Sequence, residues 1–440
     1  MQPKRQMRLA VSMATLGYHP AAWRHPDVPA NGMMSFKHHV HTARTAQRGL
    51  FDMLFLADSM AVRNVDQARV ARTREQQVVK NEPLTLLAAL AAVTENIGLV
   101  ATASTTYSEP FGLARRFATI DHISGGRAGW NIVTGFSADE ARNFSLDTKR
   151  DSAWRYSRAH EFVDVACGLW NSWDADALPR DKQSGTFFDR TKMHILNHRG
   201  EHFSVRGPLD VDRPPQGRPV LVTAGDSEQS KELAAKVGEV LYAGQPTLPS
   251  AQAYYADVKG RMPRYGRDPA SMLIMPGIMV FVGRTESEAR QKLRTLHDLI
   301  HPDQGLGLIE PMFGDLSAYD LDAPLPEALG QNTQEWSSFS QDVLARARAD
   351  NLTIRQLYEL LAQGYWQFGI VGTPEMVADR LEEWFKEGAA DGFNVQPPWL
   401  PGGLEDFVDL VVPELQRRGL FRTEYEGTML RQNLGLPPLG

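Results

Sequence analysis

The chain has 440 residues, of which 42% are hydrophobic, so it can bury a large core. Its 47 basic and 53 acidic residues give a net charge of −6, which argues against the concentrated basic surface of a nucleic-acid-binding protein. Cys167 is the only cysteine, which excludes an internal disulfide and a cysteine-ligated zinc cluster and fits a reducing compartment.

The chain carries no signal of export or membrane insertion. The apolar run at residues 7–13 is too short and too polar for the core of a signal peptide. No segment reaches 18 uninterrupted apolar residues. We therefore expect a soluble cytoplasmic protein that binds neither nucleic acid nor a membrane.

Short apolar runs alternate with longer helical patterns along the chain, which is the rhythm of a parallel sheet. We predict eight strands, at residues 8–13, 51–57, 97–102, 128–133, 220–223, 240–243, 273–282 and 392–395. We predict helices at 83–95, 110–122, 153–173, 228–237 and 374–387. Eight strand–helix units predict an α/β fold of the (β/α)8 TIM-barrel type. A doubly wound open sheet is the alternative, although the Gly-x-Gly-x-x-Gly motif after a first strand is absent.

Three connections are longer than ordinary barrel loops, and they follow strands 2, 4 and 7. They are residues 60–81, 174–218 and 301–351, of which the second contains a predicted small hairpin near His198. Long loops in compact enzymes are often lids or binding loops. We predict a single domain, residues 1–440, in which the 301–351 insertion is a lid.

Four consecutive predicted strands end in polar side chains. These are Asp58 after the second strand, Ser104 after the third, Asn131 and Thr134 at the fourth, and Gly225, Asp226 and Ser227 after the fifth. The carboxyl ends of barrel strands share one rim, where such folds place their active sites. The opposite rim shows no comparable set, so we predict a binding site here, although each residue alone is more typical of a helix cap or a satisfied core group.

The fifth strand's end suits a phosphate group. Gly225 allows close backbone approach, and Ser227 supplies a hydroxyl beside the free N–H groups at a helix start, although a capping serine needs no ligand. Tyr156, early on the long helix after strand 4, could donate its hydroxyl to the same phosphate or could simply pack.

Three further signals have competing interpretations. His194, His198 and His202 have helical spacing, but Gly200 breaks the helix, so we expect structural histidines and no metal site. The arginines of the 60–81 loop, Arg63, Arg69, Arg72 and Arg74, could bind an anionic substrate, but we favour a solvated loop. His19, after the first strand, is the candidate catalytic acid or base.

Several motifs together carry a family resemblance that spans nearly the whole chain. They lie at residues 18–24, 82–90, 124–134 (SGGRAGWNIVT), 198–203, 372–375, 413–420 and 425–427. With them the chain resembles the bacterial-luciferase-like flavin monooxygenases. It is most similar to the branch that contains nitrilotriacetate, dibenzothiophene-sulfone and long-chain alkane monooxygenases.

The resemblance implies an FMN site at the positions of Asp58, Ser104, Asn131, Tyr156 and Ser227, with Thr134, Gly225 and Asp226 beside them. Relatives often carry histidine at the position of Ser152, so the phosphate contact there would be weaker or pass through water. They often carry serine after the fourth strand, where this chain has Gly135-Phe136.

The resemblance also implies a two-component monooxygenase that acts on a small organic molecule. A separate NAD(P)H:flavin reductase would supply FMNH2, which reacts with O2 to a C4a-(hydro)peroxide, and the enzyme would be a homodimer or homotetramer. Three alternatives remain open. They are reduced-flavin-dependent cleavage of a C–S, C–N or C–halogen bond, hydride transfer with a deazaflavin, and a non-catalytic flavin-binding protein.

Overall fold

Eight parallel strands close into a barrel in the structure, a computed structural model that describes residues 5–62, 71–72, 78–135, 137–327, 329, 338–364 and 368–439. The strands are β1 (Arg8–Ser12), β2 (Met53–Leu56), β3 (Gly98–Ser104), β4 (Ala128–Val133), β5 (Val220–Ala224), β6 (Val240–Ala243), β7 (Leu273–Val282) and β8 (Gly392–Val395). Each pairs in parallel with the next, and β8 pairs with β1. All eight predicted strands are present, so the predicted (β/α)8 barrel is confirmed and the open-sheet alternative is wrong.

Helices cover the outside of the barrel. They are α1 (Phe36–Arg48), α2 (Pro83–Ala91), α3 (Pro110–Ser124), α4 (Ala138–Asn143), α5 (Ser152–Trp170), α6 (Glu228–Val237), α7 (Leu248–Arg261), α8 (Glu286–Asp298), α9 (Pro302–Phe313), α10 (Ser338–Ala349), α11 (Ile354–Gly364), α12 (Pro374–Lys386), α13 (Gly402–Asp406), α14 (Val412–Arg417) and α15 (Leu430–Asn433). A π-helical turn, Phe407–Val411, joins α13 to α14. Within the described ranges, no helix has the length and apolar character needed to cross a membrane.

The five predicted helices are all present, and the largest difference in their bounds is at the end of α2. α2 ends at Ala91 rather than at Glu95. The guanidinium of Arg127, which precedes β4, donates to the carbonyl oxygens of Ala91 (3.0 Å) and Thr94 (2.9 Å). These carbonyl groups would otherwise need partners at the helix end, so a long-range side chain fixes where α2 stops.

One strand, Phe368–Gly372, has no counterpart among the predicted strands. It pairs in parallel with β7 from Ile278 to Val282, beyond the positions at which β7 pairs with β8. Its five residues include Gly369 and Gly372, and glycine weakens the pattern by which a strand is identified. β7 therefore closes the barrel with its first half and carries an added strand on its second.

The insertion after strand 7 is helical over the residues that the structure describes. α9, α10 and α11 share a hydrophobic cluster that includes Ile309 and Tyr358, to which the β1 side contributes Ala21. Gln304 of α9 also donates to the carbonyl oxygen of Pro20 at 2.6 Å. The 301–351 segment is therefore a packed helical unit attached beside the end of β1. The role of this insertion as a lid stays a prediction.

The other two insertions also have defined contacts among the described residues. The predicted hairpin is confirmed, since His198–Arg199 pairs with Ser204–Val205. In the first insertion, Arg72 forms a 3.1 Å ion pair with Asp303 of α9. Arg63, Arg69 and Arg74 lie outside the described residues, so the anion-site hypothesis for this loop stays untested there.

The amino rim of the barrel carries four buried carboxylates, and the prediction that this rim has no comparable polar set is wrong. Each accepts a backbone N–H at a strand start: Asp52 from Leu9 (2.7 Å), Asp121 from Ala128 (3.0 Å), Glu239 from Leu221 (3.0 Å) and Asp391 from Ile274 (2.9 Å). Three of these carboxylates also pair with cations, such as Asp52 with Arg422. Because each of these carboxylates has partners within the chain, we interpret them as caps of the strand starts.

Candidate functional site

The barrel interior is apolar at the amino end and polar at the carboxyl end. A cluster that includes Ala10, Val100 and Val240 fills the lower interior, and Leu430 of α15 packs beneath it. Side chains alternate along a strand, so residues two positions further on point to the same side. Those residues are Ser12, Thr102 and Tyr242, which are all polar and all buried. The interior therefore becomes polar towards the rim on which the predicted site residues stand.

Asn131 lies inside the barrel, with its side chain oriented by a neighbouring strand. It stands in register with Thr102, and its Nδ2 donates to Thr102 Oγ1 at 2.8 Å. Its Oδ1 is buried and has no hydrogen-bond partner among the described residues. A buried, unpaired acceptor costs about 1–3 kcal/mol, so this oxygen is a strong candidate for contact with a ligand or water.

Ser104 and Thr134 lie at the ends of their strands, as predicted, but α5 contributes two contacts that the sequence did not indicate. Arg155 donates to Thr134 Oγ1 at 2.8 Å and to the carbonyl oxygen of Gly135. Arg158 donates to the carbonyl oxygens of Thr105 (3.0 Å) and of Ser108. Ser104 Oγ accepts from its own loop, from the N–H of Thr106. The first turns of α5 thus fix the loops that follow β3 and β4.

Asp58 lies just beyond β2 and pairs with a lysine that the sequence did not single out. Asp58 Oδ1 is 3.1 Å from Nζ of Lys80, and both side chains are mostly buried. Burial raises the pKa of the Asp58 carboxyl, and the charge of Lys80 opposes that rise. The pair places a carboxylate with an adjacent cation at the carboxyl rim.

The N-terminus of α6 is open to solvent and has the geometry of an anion cradle. Ser227 is its N-cap and accepts from the N–H of Ser230 at 3.2 Å, which confirms the capping role that sequence allowed. Gly225 has φ +119°, and a Cβ at that position would crowd the Ser230 side chain at 3.1 Å. Asp226, between them, is exposed. Three features expected of a phosphate site therefore coincide: a helix start, a hydroxyl and a glycine that keeps the approach clear.

Ser152 and Tyr156 stand in the first turns of α5, on the carboxyl side of the barrel. Ser152 is the first helical residue, after Asp151 as N-cap. Tyr156 is half-buried and packs against the main hydrophobic cluster. The structure therefore supports a packing role for Tyr156, and its contact with a phosphate stays a prediction.

His19 lies in aromatic surroundings that differ from the polar barrel interior. Its ring stacks on His297 at 5.6 Å and meets Phe281 edge-on at 6.2 Å. Its Nδ1 accepts from the N–H of Ala21 at 3.1 Å. Burial lowers the pKa of the neighbouring His297 to about 4, which keeps that imidazole neutral near pH 7. The structure therefore places His19 in a packed pair of rings, and its catalytic role stays a prediction.

The histidines with helical spacing have separate partners. His194 bonds Asp174, His198 bonds Glu161 and His202 bonds Ser157, each at 2.8–2.9 Å. Across the part of the chain that the structure describes, no three metal-type side chains converge. These histidines hold the second insertion through separate side-chain contacts.

Four buried oxygen atoms at inward-facing positions of the barrel strands or directly after them have no hydrogen-bond partner among the described residues. They are Asn131 Oδ1, Tyr242 Oη, Asn394 Oδ1 and Gln396 Oε1, of which the last three were not indicated by sequence. Native proteins rarely leave buried polar atoms unpaired. Together with the open cradle at α6, they fit a ligand that has an anionic end and a polar heterocycle, and FMN is such a ligand.

Comparison with known proteins finds relatives that match nearly the whole chain. A family model described as luciferase-like monooxygenase matches residues 11–391. The N-acetyl-S-(2-succino)cysteine monooxygenase of Bacillus subtilis (strain 168) is 49% identical over 98% of this chain and 97% of its own length. Nitrilotriacetate monooxygenase component A of Aminobacter aminovorans is 46% identical over 99% of this chain and 98% of its own length. The crystal structure of a long-chain alkane monooxygenase matches with a TM-score of 0.85 and 31% identity over 98% of this chain and 96% of that one.

Proposed function

The chain belongs to the luciferase-like monooxygenase family, and from this premise we propose that it is an FMNH2-dependent enzyme that oxygenates a small organic molecule. The resemblance predicted from sequence is confirmed, and with it the flavin-dependent monooxygenase class. The choice of FMN, its reduced state, the substrate and the residues that bind them belong to the proposal. Reduced FMN, when bound, supplies the electrons and the chemistry that activates O2.

The observation that supports this proposal best is the position of the unpaired polar groups. Asn131 Oδ1 and Tyr242 Oη are buried inside the barrel, and the free N–H groups beside Ser227 are exposed at its rim. A single ligand that bonds both the buried oxygens and the N–H groups at the rim must have a charged end and a polar ring at some distance from it. FMN meets that requirement through its phosphate and its isoalloxazine.

In this proposal the chain binds, orients and shields the cofactor. The N-terminus of α6, with Ser227 and with Tyr156 opposite, holds the phosphate. Asn131 and the Asp58–Lys80 pair orient the ring system from two sides. The helical insertion that begins at α9 covers the rim and excludes water, because an oxygen-activating flavin that is open to solvent loses its oxidising equivalents as H2O2.

A separate reductase completes the proposed system. One close relative is named component A of a monooxygenase, which indicates that it works with at least one other component. This chain also lacks the glycine-rich fingerprint by which a Rossmann fold binds NAD(P)H. We therefore propose that an NAD(P)H:flavin reductase supplies FMNH2, and that the oxygenase forms a homodimer or homotetramer.

The same reasoning extends to the class of substrate. The names of the two relatives above describe substrates with succinyl and acetate groups, which carry several carboxylates. At the rim of this chain, Arg155 bonds neutral oxygens only, so its charge has no carboxylate partner among the described residues. We propose a carboxylate-bearing amine or thioether as substrate, with Arg155 compensating its charge.

Oxygen consumption tests the proposed function. The pure protein with FMN and NADH should consume neither NADH nor O2 at an enzymatic rate. Adding a flavin reductase should produce O2 uptake, and a carboxylate-bearing thioether or amine should lower the yield of H2O2 per O2, whereas its methyl ester should not. Steady NADH oxidation by the pure protein would contradict the two-component proposal. Equal effects of acid and ester would contradict the substrate class alone.

A further inference from the structure

Tyr242 has a hydroxyl that is buried inside the barrel and has no partner among the described residues. It stands on β6, and its ring lies 4.5 Å from that of Phe55 on β2, across the interior. Its Oη makes no hydrogen bond within the described residues. Burial raises the pKa of Tyr242 well above its ordinary value, so the hydroxyl keeps its proton and can act as a donor.

Strand register brings three amide side chains to the same interior. Asn394 pairs in register with Ala10, a residue of the interior cluster, so it also faces inward. Gln396 stands two residues further along the same extended chain, where its N–H still bonds the carbonyl oxygen of Ile278. With Asn131 of β4, these residues place three unpaired amide oxygens around one space.

Thr223 carries a fifth unpaired oxygen of the barrel strands, and its side chain points outward rather than inward. Thr223 Oγ1, on β5, is also buried without a partner. Thr223 is adjacent in sequence to Val222 of the interior cluster, so its side chain points to the opposite side of the sheet. Accordingly, its Oγ1 lies 2.9 Å from the position that a Cβ on Gly238, outside the barrel, would occupy. Thr223 therefore offers a second buried, unpaired hydroxyl on the barrel strands that points away from the interior.

The donor and acceptor pattern of the inward groups defines what they can bind. Asn131 presents an acceptor, because its Nδ2 is committed to Thr102. Tyr242 presents a donor. Asn394 and Gln396 can each present a donor and an acceptor. Amide side chains pair well with heterocycle edges on which a donor stands beside an acceptor. The pyrimidinedione edge of a flavin has this character, with an N3–H between two carbonyl groups.

We propose that Tyr242, Asn394 and Gln396, together with Asn131, form a polar floor inside the barrel that binds the pyrimidinedione edge of the flavin. This inference rests on the proposed function and adds to it the residues that recognise the flavin ring. The floor would select a flavin by its N3–H and its carbonyl oxygens, whereas the cradle at α6 would select the phosphate. It acts by binding and orienting, and the redox chemistry stays with the flavin.

Binding of a flavin analogue tests the floor without any variant. In 3-methyl-FMN a methyl group replaces the N3 proton and leaves the phosphate unchanged. Quenching of flavin fluorescence should show that the wild-type protein binds 3-methyl-FMN about tenfold more weakly than FMN, because a donor is lost and a buried acceptor is left unpaired. Equal affinity for the two compounds would overturn the proposed floor.

A pair of variants tests Tyr242 itself. Tyr242→Phe removes the hydroxyl alone and should weaken FMN binding about three- to tenfold. Thr223→Val removes a buried hydroxyl on the outer side and should leave the affinity unchanged. Equal FMN affinity of both variants would contradict the role of Tyr242. If the wild-type protein binds neither FMN nor its analogue, the proposed function fails and the floor fails with it.

Discussion

The ring of Tyr107 lies against the backbone of Gly135, where the loops after β3 and β4 meet. A Cβ at Gly135 would lie 2.6 Å from Cε2 of Tyr107, and Gly135 has φ +63°. On its other side, Tyr107 stacks on Phe144 at 4.6 Å with an interplanar angle of 16°. This aromatic pair forms part of the rim beside Thr134, and glycine at 135 is a condition for its formation.

Gly135→Ala should therefore displace Tyr107. An L-residue in the left-handed region costs about 1–2 kcal/mol, and overpacking adds about 1–3 kcal/mol. Gly185→Ala is the matched control, since Gly185 has φ +75° with nothing within 4 Å of its Cβ position. Denaturant unfolding should show a larger loss of unfolding free energy for Gly135→Ala than for Gly185→Ala. Equal losses would mean that Tyr107 moves aside freely.

Ser227→Ala and Tyr156→Phe should each weaken FMN binding by about 1–2 kcal/mol, because each removes a hydrogen bond to a charged phosphate. Their affinity for riboflavin, which lacks the phosphate, should stay unchanged. Thr373→Ala is the control for loss of a cap, since Thr373 caps α12 as Ser227 caps α6. Fluorescence titration with FMN and with riboflavin measures the two affinities. Unchanged FMN affinity in both site variants would refute the phosphate assignment.

Lys80→Met should shift the pH dependence of flavin binding. Lys80 is the main influence that holds down the pKa of the buried Asp58 carboxyl, so its loss raises that pKa further. The ionised carboxylate disappears as pH falls through its pKa, so the acid limb of the FMN affinity profile should move to higher pH. Lys192→Met, at the exposed Lys192–Asp176 pair, should leave the profile in place. A profile that Lys80→Met does not move would place Asp58 outside the flavin site.

His297 should make the protein less stable in mild acid. Its pKa is lowered by burial from 6.5 to about 4, so the unfolded chain binds a proton before the folded one does. The free energy of unfolding should therefore fall by about 2 kcal/mol between pH 7 and pH 5 on account of this group. His297→Phe keeps the stacking on His19 and should reduce that loss, whereas His194→Gln, at an exposed ion pair, should not. An unchanged pH dependence in His297→Phe would contradict this assignment.

The exposed ion pair between Arg72 and Asp303 should favour the closed form of the insertion. It joins the loop after β2 to the first turn of α9, and exposed pairs contribute at most about 1 kcal/mol. Arg72→Gln should therefore raise the H2O2 yield per O2 no more than about fivefold and leave FMN affinity unchanged. Arg346→Gln, which breaks the pair with Asp350 at the C-terminal end of α10, is the control. If Arg72→Gln leaves the H2O2 yield per O2 unchanged, this ion pair does not control closure of the insertion.

The predicted rim residues could be identified because they follow apolar runs that the sequence shows directly. Asp58 and Ser104 follow continuous apolar strands, and the end of such a strand locates the rim. Tyr242 could not be identified in this way, since it stands within an apolar run and looks like an ordinary core residue. Its direction depends on the register of neighbouring strands, which one sequence does not specify.

Contacts between distant segments account for most of the other differences. Arg155 and Arg127 look like solvated helix or turn residues, and their partners are carbonyl groups 20 and more than 30 residues away. The buried carboxylates of the amino rim, such as Asp52, precede strands as ordinary turn residues do. Only the closed barrel shows that they cap neighbouring strands.

A crystal structure of the protein with bound FMN is the most direct test of the proposed site. The isoalloxazine should lie inside the carboxyl end of the barrel, within hydrogen-bond distance of Asn131 Oδ1 and Tyr242 Oη. The phosphate should lie at the N-terminus of α6, beside Ser227. FMN bound elsewhere, for example in the cavity between Gln216 and Leu439 at the amino end, with the carboxyl rim empty, would contradict both the site and the function proposed for it.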